Sequence, residues 1–485
     1  MFNFKKTLNF LGLKKEKILF CYFDPQTYDY TPLDVGYILA ILEKENFAKK
    51  YDCELVALSD FSYFNSKRTD AETIKNATII LAKKPRAIFF FADNVLVSLV
   101  RGTERAQKIA AEIKKSAPGI FIGLQSYKFD AVQMRQIFAT RKIDCIITHD
   151  PENIFLSLEK IINRERVAGA PRSFLEAEKD VCTGQKNDNF GESLDYLPSP
   201  FCFGTLDNFL RLKKEQTNGE FCCFLQSARG CPFGCYYCPR SVKFQRTRCF
   251  SAKRFYDEVG YLVSHFGFFR FFVIDDTFVF SKKRLLEFQW EFERRKLESK
   301  EIVNVRLFVM TRIEILDEET IDILNSLNVV EIQIGLQTIN PQLQYYMNRR
   351  VDMQKFSEVA EKLKEVKIKF SLDIIGGLPG DTIEYFKKTI DFAISLKPDR
   401  IQVKQLFLTP ETKFYQEKER FGIKIQKIKG EFFEPYVTRA TGIDEIYNAA
   451  AYAYAQKKKE ENPQIKWLIS SEMKKLKSNN FNEYF

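Results

Sequence analysis

The chain has 485 residues, of which 45% are hydrophobic and 29% are charged, and its net charge at neutral pH is +11. Length and composition are those of a folded, soluble protein with material for two or three domains. No stretch reaches the roughly 18 uncharged apolar residues that a membrane span needs, which excludes a membrane-spanning helix.

The positive charge does not indicate nucleic-acid binding. Lysines and arginines are scattered among glutamates, and no basic run is interleaved with aromatic residues, so a solvated, lysine-rich surface is the better interpretation. The first 17 residues lack the uninterrupted apolar core and cleavage site of a signal peptide. We therefore expect a cytoplasmic protein whose 11 cysteines stay reduced and serve metal binding rather than disulfides.

The first part of the chain alternates strand-like and helix-like stretches. Its five predicted strands are Lys17–Phe23, Cys53–Leu58, Arg86–Phe91, Ile120–Gly123 and Cys145–Thr148. Strands that alternate with helices form a parallel sheet covered on both faces, with ligands at the carboxyl ends of the strands. The sequence thus predicts a Rossmann-like domain over residues 15–165.

Residues 166–218 lose this periodicity and are predicted to be a linker. A second alternating series follows, with predicted strands at Phe221–Ser227, Phe268–Ile274, Asn304–Met310, Val329–Ile334, Lys367–Ile374 and Arg400–Phe407. Six βα units predict a partial (β/α)6 TIM-type barrel over residues 219–415. Residues 416–485 are predicted to be mainly helical, and the alanine-rich face of helix Ile443–Glu461 is suited to covering an open barrel edge.

The most specific motif is SARGCPFGCYYCPR, which follows the first strand of the second series. It places Cys231, Cys235 and Cys238 within eight residues, in a glycine- and proline-rich loop that lets three thiolates face one inorganic centre while backbone amides lower their pKa. A fourth cysteine is missing at any close spacing. If the centre is a [4Fe-4S] cluster, one iron keeps an open position where a substrate or cofactor binds.

This CxxxCxxC arrangement, with Tyr237 before the last cysteine, resembles the cluster motif of the radical S-adenosylmethionine (SAM) superfamily. The resemblance implies that SAM chelates the open iron through its amino and carboxylate groups. It also implies that an electron delivered by a donor such as flavodoxin or ferredoxin cleaves SAM to a 5′-deoxyadenosyl radical, which abstracts hydrogen from a substrate.

Residues after later strands resemble further segments of this family, and the resemblance covers about residues 221–415. Asp275 and Asp276 resemble the acidic patch that holds the SAM amino group, and we expect one carboxylate to bind and the other to cap a helix. Arg312 stands where it could pair with the SAM carboxylate or form a solvated surface pair. The resemblance places Gln337 over the site.

The stretch DIIGGLPGDT is very like the GLPGET segment of the family. Gly376 and Gly377 in it would let the backbone approach the nucleoside closely. The later stretch FLTPETKFY resembles a PGT loop in which Glu411 replaces glycine.

The first domain resembles, in layout, the cobalamin-binding domain that often precedes a radical SAM barrel. The DxHxxG pattern that supplies a cobalt ligand is absent, and His149 is the one histidine in this domain. Two hypotheses follow: a cobalamin-dependent enzyme, with methyl transfer among its candidate reactions, and a radical SAM enzyme whose first domain no longer binds cobalamin.

Two other interpretations stay open at this point. A methylthiotransferase would need a second cluster, for which Cys21, Cys53 and Cys145 are available in the first domain. A non-catalytic, zinc-stabilised binding protein would recruit Cys249 or His265 as the fourth ligand of the cysteine loop.

Overall fold

The computed structural model describes residues 15–24, 31–59, 69–92, 101–125, 137–148, 155, 158–163, 181–183, 193–238, 247–406, 408, 412–427, 436–440 and 445–469. Within these residues, no helix is both long enough and apolar enough to cross a membrane. The chain divides into two compact units, Met1–Phe190 with Leu197–Phe209, and Gly191–Tyr196 with Leu210–Phe485.

The first unit is built on a parallel sheet with strand order β2-β1-β3-β4-β5-β6. Its strands are β1 (Glu16–Asp24), β2 (Tyr51–Ser59), β3 (Ala87–Phe91), β4 (Phe121–Gln125), β5 (Cys145–Thr148) and β6 (Val181–Thr183). Its helices are α1 (Leu33–Lys44), α2 (Thr69–Ala82), α3 (Arg101–Ser116) and α4 (Leu158–Ile162). The predicted Rossmann-like sheet is confirmed, and the segment predicted to be a linker adds the sixth strand, which at three residues is too short to mark by periodicity.

Aromatic rings fill the core of this first sheet. Phe20 and Phe89 on neighbouring strands lie 5.7 Å apart, and Phe155 meets Phe89 edge-on at 4.9 Å. A Cβ atom at Gly123, on the next strand, would lie 2.4 Å from the Phe89 ring. Gly123 therefore makes room for this ring.

The second unit contains a seven-stranded parallel sheet with the order β17-β14-β13-β12-β11-β10-β7. These strands are β7 (Cys222–Leu225), β10 (Arg270–Val273), β11 (Arg306–Thr311), β12 (Val329–Gln337), β13 (Lys369–Gly376), β14 (Arg400–Gln405) and β17 (Lys466–Ile469). Four short strands form two antiparallel pairs: β8 (Ala228–Arg229) with β9 (Arg248–Cys249), and β15 (Ile423–Lys427) with β16 (Tyr436–Ala440).

Helices connect these strands and bury their apolar sides. They are α5 (Asp207–Gln216), α6 (Ala252–Phe266), α7 (Lys282–Glu298), α8 (Glu318–Ser326), α9 (Pro341–Tyr346), α10 (Met353–Glu365), α11 (Ile383–Ser395), α12 (Lys413–Gln416) and α13 (Glu445–Glu461). Several begin at a capping side chain that satisfies free backbone N–H groups: Ser251 begins α6, and Asp317 with Thr320 forms a capping box at α8.

All six strands predicted for the barrel form, and a seventh is added at its edge. β17 pairs with β14 in parallel, from Arg400 beside Lys466 to Val403 beside Ile469. The sequence predicted that helix α13 covers the open edge of the barrel. Strand β17 occupies this edge instead. Because strand ends that point the same way share one edge of the sheet, the residues that follow β7 and β10–β14 gather at the carboxyl edge of this half-barrel.

Candidate active site

The cysteine loop begins just after β8 and is held by hydrogen bonds to the turn after α9. Tyr236 N–H donates to the Met347 carbonyl at 3.0 Å, and the Asn348 side-chain amide donates to the Gly234 carbonyl at 3.0 Å. Cys235 is buried, whereas Cys231 and Cys238 are half-buried. The loop is therefore fixed between β8 and the turn after α9.

Opposing influences act on the pKa of the Cys231 thiol. Burial raises the pKa, the Phe233 backbone N–H lowers it, and the nearby Asp276 carboxylate raises it again. A backbone amide thus favours the thiolate as the motif predicts, but burial outweighs it and the net pKa is raised. A metal bound there would favour the thiolate, because the positive charge of the metal lowers the pKa of the thiol.

Three cysteine sulfurs on one short loop are the donor set that an iron–sulfur cluster takes. A single zinc ion would need its ligands within bonding distance of one point, about 2.3 Å for each sulfur. Among the described residues, no three His, Cys, Asp or Glu side chains are grouped closely enough to hold one metal ion. Cluster ligands bind separate iron corners and therefore stand farther apart than the ligands of a single ion.

Cys249 and His265, the two residues suggested as a fourth zinc ligand, lie within regular secondary structure. Cys249 lies on β9, opposite Ala228. His265 sits in the last turn of α6, where its ring stacks on Tyr261 with centroids 4.1 Å apart.

A chain of charged residues joins the cysteine loop to the ends of β11 and β12. Arg312 Nη1 lies 3.3 Å from Cys235 Sγ, and the Arg312 guanidinium stacks over the Phe233 ring at 4.0 Å. Glu314 accepts from Arg312 Nε at 3.2 Å and from Nη2 at 2.5 Å.

Arg349 continues this chain from a buried position. Its Nε forms an ion pair with Glu314 at 3.4 Å, Nη1 donates to the Tyr237 hydroxyl at 3.2 Å, and Nη2 donates to the Gly335 carbonyl at 2.6 Å. Burial alone would raise the pKa of Glu314, but the hydrogen bond from Arg312 and the charges of both arginines lower it overall. The carboxylate is thus held ionised between two cations.

The two aspartates after β10 have different surroundings. Asp275 is buried, and its carboxylate accepts from the Ser227 and Ala228 backbone N–H groups at 2.7 and 3.0 Å and also from the Ser227 hydroxyl. Burial raises the pKa of Asp275 to about 6, although these hydrogen bonds and Arg284 oppose the shift. Asp276 is half-buried beside Cys231. Asp275 therefore shapes the turn that leads to the cysteines, whereas the Asp276 carboxylate acts on Cys231 through its charge.

Gln337 ends β12 in a strained conformation. Its φ is +65°, in the left-handed region that a glutamine rarely adopts, and its side chain is buried. Within the described part of the chain, the side-chain carbonyl Oε1 has no hydrogen-bond partner. Such an acceptor on a strained residue at the carboxyl edge makes Gln337 a candidate ligand contact.

The glycine turn after β13 is fastened to helix α13. Gly377 has a φ of +82°, which suits glycine, and its N–H donates to the Tyr447 hydroxyl at 3.4 Å. The same hydroxyl donates to Asp381 at 2.6 Å. Gly376 is the last residue of β13, and its carbonyl accepts from Leu406 N–H at 2.8 Å. The C-terminal helix thus fixes the shape of this turn.

Three polar residues at this edge were missed by the sequence reasoning. Glu314 and Arg349 lie outside any motif, and nothing in their local sequence distinguishes them from surface charges. Asp373 accepts from Gln333 at 2.7 Å, and its second oxygen is buried without a partner among the described residues. Asp373 could have been found from the sequence, because it is a carboxylate within a strand of mostly buried residues.

The carboxyl edge of the first unit carries one notable side chain. Gln125, the last residue of β4, is buried, and neither its side-chain nitrogen nor its oxygen has a hydrogen-bond partner in the described ranges. A buried primary amide without partners indicates a polar ligand or a neighbour in the adjoining segment. His149 and Glu411 lie outside the described residues.

Comparison with known protein families gives a match over residues 225–393, to the radical SAM superfamily. Among curated proteins, an uncharacterized methyltransferase of Pyrococcus horikoshii is 22% identical over 56% of this chain and 58% of its own length. An anaerobic magnesium-protoporphyrin IX monomethyl ester cyclase of Cereibacter sphaeroides is 23% identical over 74% of this chain. This chain spans 58% of the length of each of these two relatives.

Two solved structures share the fold. The radical SAM methyltransferase TsrM of Kitasatospora setae, solved with tryptophan and a SAM analogue, superposes with a TM-score of 0.68 and 15% identity, over 91% of this chain and 89% of TsrM. The cobalamin-dependent SAM radical enzyme OxsB, solved with aqua-cobalamin and SAM, gives a TM-score of 0.63 and 14% identity, over 93% of this chain and 68% of OxsB.

Proposed function

Since this chain is a member of the radical SAM superfamily, we propose that it is an enzyme that cleaves SAM reductively to start radical chemistry on a substrate. The observation that carries this proposal is the loop of Cys231, Cys235 and Cys238, which lies inside the matched domain and offers three sulfurs at the carboxyl edge of a half-barrel. Bound there, a [4Fe-4S] cluster would supply one-electron reduction at an iron that no cysteine occupies.

The surrounding residues would bind and orient SAM. Asp276 is proposed to accept hydrogen bonds from its amino group, because its carboxylate stands beside Cys231 whereas that of Asp275 is used inside the protein. Gln337 offers a ligand hydroxyl or amine a buried carbonyl that has no hydrogen-bond partner within the described ranges.

The nucleoside would be held by backbone rather than by charge. The turn at Gly376 and Gly377 has no side chain to keep a planar base away, and Tyr447 fixes its shape. Tyr237 is held by Arg349 through its hydroxyl, which fixes the backbone between the last two cysteines. These residues would exclude water from one side of the nucleoside and set its orientation.

The substrate reaction we favour is methyl transfer with cobalamin as a second cofactor. Support comes from the names of the relatives: one curated relative is called a methyltransferase, and both solved relatives with the fold over most of this chain are cobalamin or methyl-transfer enzymes. The buried amide of Gln125 has no partner among the residues that the structure describes. It lies at the carboxyl edge of the first sheet and would suit the amide groups around a corrin ring.

A radical SAM enzyme without cobalamin is the second candidate. It is favoured because the DxHxxG pattern, which supplies a cobalt ligand, is absent. His149 is the one histidine of the first domain. In both versions we propose a cytoplasmic enzyme that receives single electrons from a donor such as flavodoxin or ferredoxin. The domain ranges 15–165, 166–218, 219–415 and 416–485 remain predictions.

Anaerobic reconstitution with iron and sulfide, followed by SAM and dithionite, tests the proposal. We expect a brown protein that releases 5′-deoxyadenosine, and a Cys235→Ala variant that loses both cluster iron and product. Cys223→Ala is the matched control, because Cys223 is also a buried cysteine but lies on β7 outside the loop. Product formation that survived Cys235→Ala, or a reconstituted protein carrying zinc in place of iron, would refute the proposal.

Hydroxocobalamin separates the two versions. Incubation followed by size-exclusion chromatography should leave corrin absorbance with the protein peak if the first unit binds cobalamin. Complete loss of corrin with full 5′-deoxyadenosine release would favour the second candidate.

A further inference from the structure

Arg312 is oriented toward a cysteine sulfur rather than toward open solvent. Its Nη1 lies 3.3 Å from Cys235 Sγ, which is within the range of an N–H···S hydrogen bond. Cys235 is the buried member of the three cysteines. The contact therefore lies in a region where water screens a charge poorly.

This orientation is fixed from two other sides. Glu314 takes the Nε–Nη2 edge of the guanidinium through both of its oxygens, and the Phe233 ring lies under the guanidinium plane at 4.0 Å. An arginine pairs best with a carboxylate through such an edge, using two parallel N–H···O bonds. Because Glu314 already occupies it, Arg312 is poorly placed to bind the carboxylate of SAM in the same way.

A cation and a hydrogen bond at a cluster sulfur have a known physical consequence. Reduction adds one negative charge to the cluster, so a nearby positive charge stabilises the reduced form and raises the reduction potential. Glu314 opposes this effect by partly neutralising Arg312. The Arg312–Glu314 pair thus places a partly neutralised positive charge beside Cys235.

We infer that Arg312 sets the reduction potential of the cluster by donating from Nη1 to the Cys235 thiolate, and that Glu314 moderates this effect. The inference rests on the proposed function, since it needs a cluster at the cysteine loop. One electron passes from the external one-electron donor to the cluster, and no proton is required. Arg312 is then a positioning and tuning residue, in place of the SAM ligand that the motif predicted.

The test is an EPR-monitored redox titration of reconstituted protein without SAM. Removing the cation in Arg312→Gln leaves Glu314 facing the cluster, so we expect the reduction equilibrium to fall about tenfold, which is about 59 mV for a one-electron couple. Glu314→Gln removes the moderating charge and should shift the equilibrium the opposite way. Arg312→Lys, which keeps the cation, should lie between wild type and Arg312→Gln and also serves if Arg312→Gln assembles no cluster.

The chain offers a matched control at the other end of the half-barrel. Arg270 also pairs with a glutamate, Glu220, at 3.2 Å and stacks over a phenylalanine, Phe308, at 5.7 Å, but it lies at the amino end of β10. Arg270→Gln should leave the reduction equilibrium within twofold of wild type.

Calorimetric titration of SAM separates tuning from binding. The inference predicts a SAM dissociation constant within about threefold of wild type in Arg312→Gln. An unchanged reduction equilibrium with SAM affinity lowered tenfold would overturn it in favour of a carboxylate ligand, and so would shifts of the same sign in Arg312→Gln and Glu314→Gln. Failure of wild-type protein to hold iron or respond to SAM would instead refute the proposed function.

Discussion

The carboxyl edges of the two parallel sheets differ in how completely their polar groups are satisfied. At the half-barrel edge, Arg312, Glu314 and Arg349 form a continuous set of ion pairs and hydrogen bonds around the cysteine loop. At the edge of the first sheet, the described residues include the buried amide of Gln125 with no partner.

The comparison indicates two ways of preparing a ligand site. One edge holds its charged groups rigidly, so that a cofactor meets an electrostatic environment that is already arranged. The other leaves a polar group that costs stability until something binds it. Substitutions within the set of Arg312, Glu314 and Arg349 should therefore lower stability, whereas a substitution at Gln125 should raise it.

The largest effect is expected at Arg349. Arg349→Met leaves the Gly335 carbonyl and the Tyr237 hydroxyl without this donor and removes one of the two cations that face Glu314, which should cost about 3 kcal/mol. We expect the melting temperature of the protein to fall by several degrees in differential scanning fluorimetry. Arg350→Met, at an exposed neighbouring position, should change it by less than about 1 °C, and equal losses would contradict the buried network.

Asp275 and Asp276 should separate stability from binding. Asp275→Asn keeps one oxygen for the Ser227 and Ala228 amides but places an NH2 group where the second oxygen accepts from the Ser227 hydroxyl, which should cost roughly 1–3 kcal/mol and lower the melting temperature. Asp276→Asn should keep the melting temperature but weaken SAM binding at least several-fold by calorimetry. The opposite pattern would exchange the roles of the two carboxylates.

Two tyrosines on helix α13 form a matched pair. Tyr447→Phe removes the donor to buried Asp381 and the acceptor of Gly377 N–H, at an expected cost of about 1–2 kcal/mol. Tyr454 donates to exposed Asp391 at 2.8 Å, so Tyr454→Phe should stay within about 0.5 kcal/mol. Chemical denaturation measures both, and similar costs would show that the glycine turn does not depend on this hydroxyl.

The pH dependence of stability gives a smaller effect. Burial raises the pKa of Asp381 to about 6, although Tyr447 opposes the shift, so the folded state holds a proton that the unfolded state has released. The free energy of unfolding from this group should therefore fall by about 1 kcal/mol as pH rises from about 5 to about 7. Asp275, whose pKa is also raised to about 6, titrates in the same range, so Asp381→Asn should reduce the slope without abolishing it. An unchanged slope would mean that Asp381 does not titrate there.

Gln125 provides the test of opposite sign. Gln125→Leu replaces an unpartnered buried amide by an apolar group of similar size, which should stabilise the protein by up to about 1 kcal/mol in the absence of corrin. The same variant should retain less hydroxocobalamin on a sizing column. A loss of stability would show that residues outside the described ranges satisfy this amide.

The fold could be predicted from the sequence because strand and helix periods alternate regularly through both units. The cysteine loop was equally visible, since three thiols and four glycine or proline residues have few other uses in so short a stretch. Strand β6, with three residues, is too short to show periodicity, and the four-residue β17 follows the last predicted helix, outside the two strand–helix series. The roles of Glu314 and Arg349 depend on contacts between distant segments, and no local pattern records them.

The seventh strand has a consequence for how the chain is made. β14 ends at Gln405, but the strand that covers its free edge begins only at Lys466, with helix α13 in between. A nascent chain therefore displays a bare parallel edge while the intervening segment leaves the ribosome, and such edges pair readily with neighbouring polypeptides. Synthesis halted before Trp467 should yield aggregates, which chaperones would have to hold apart.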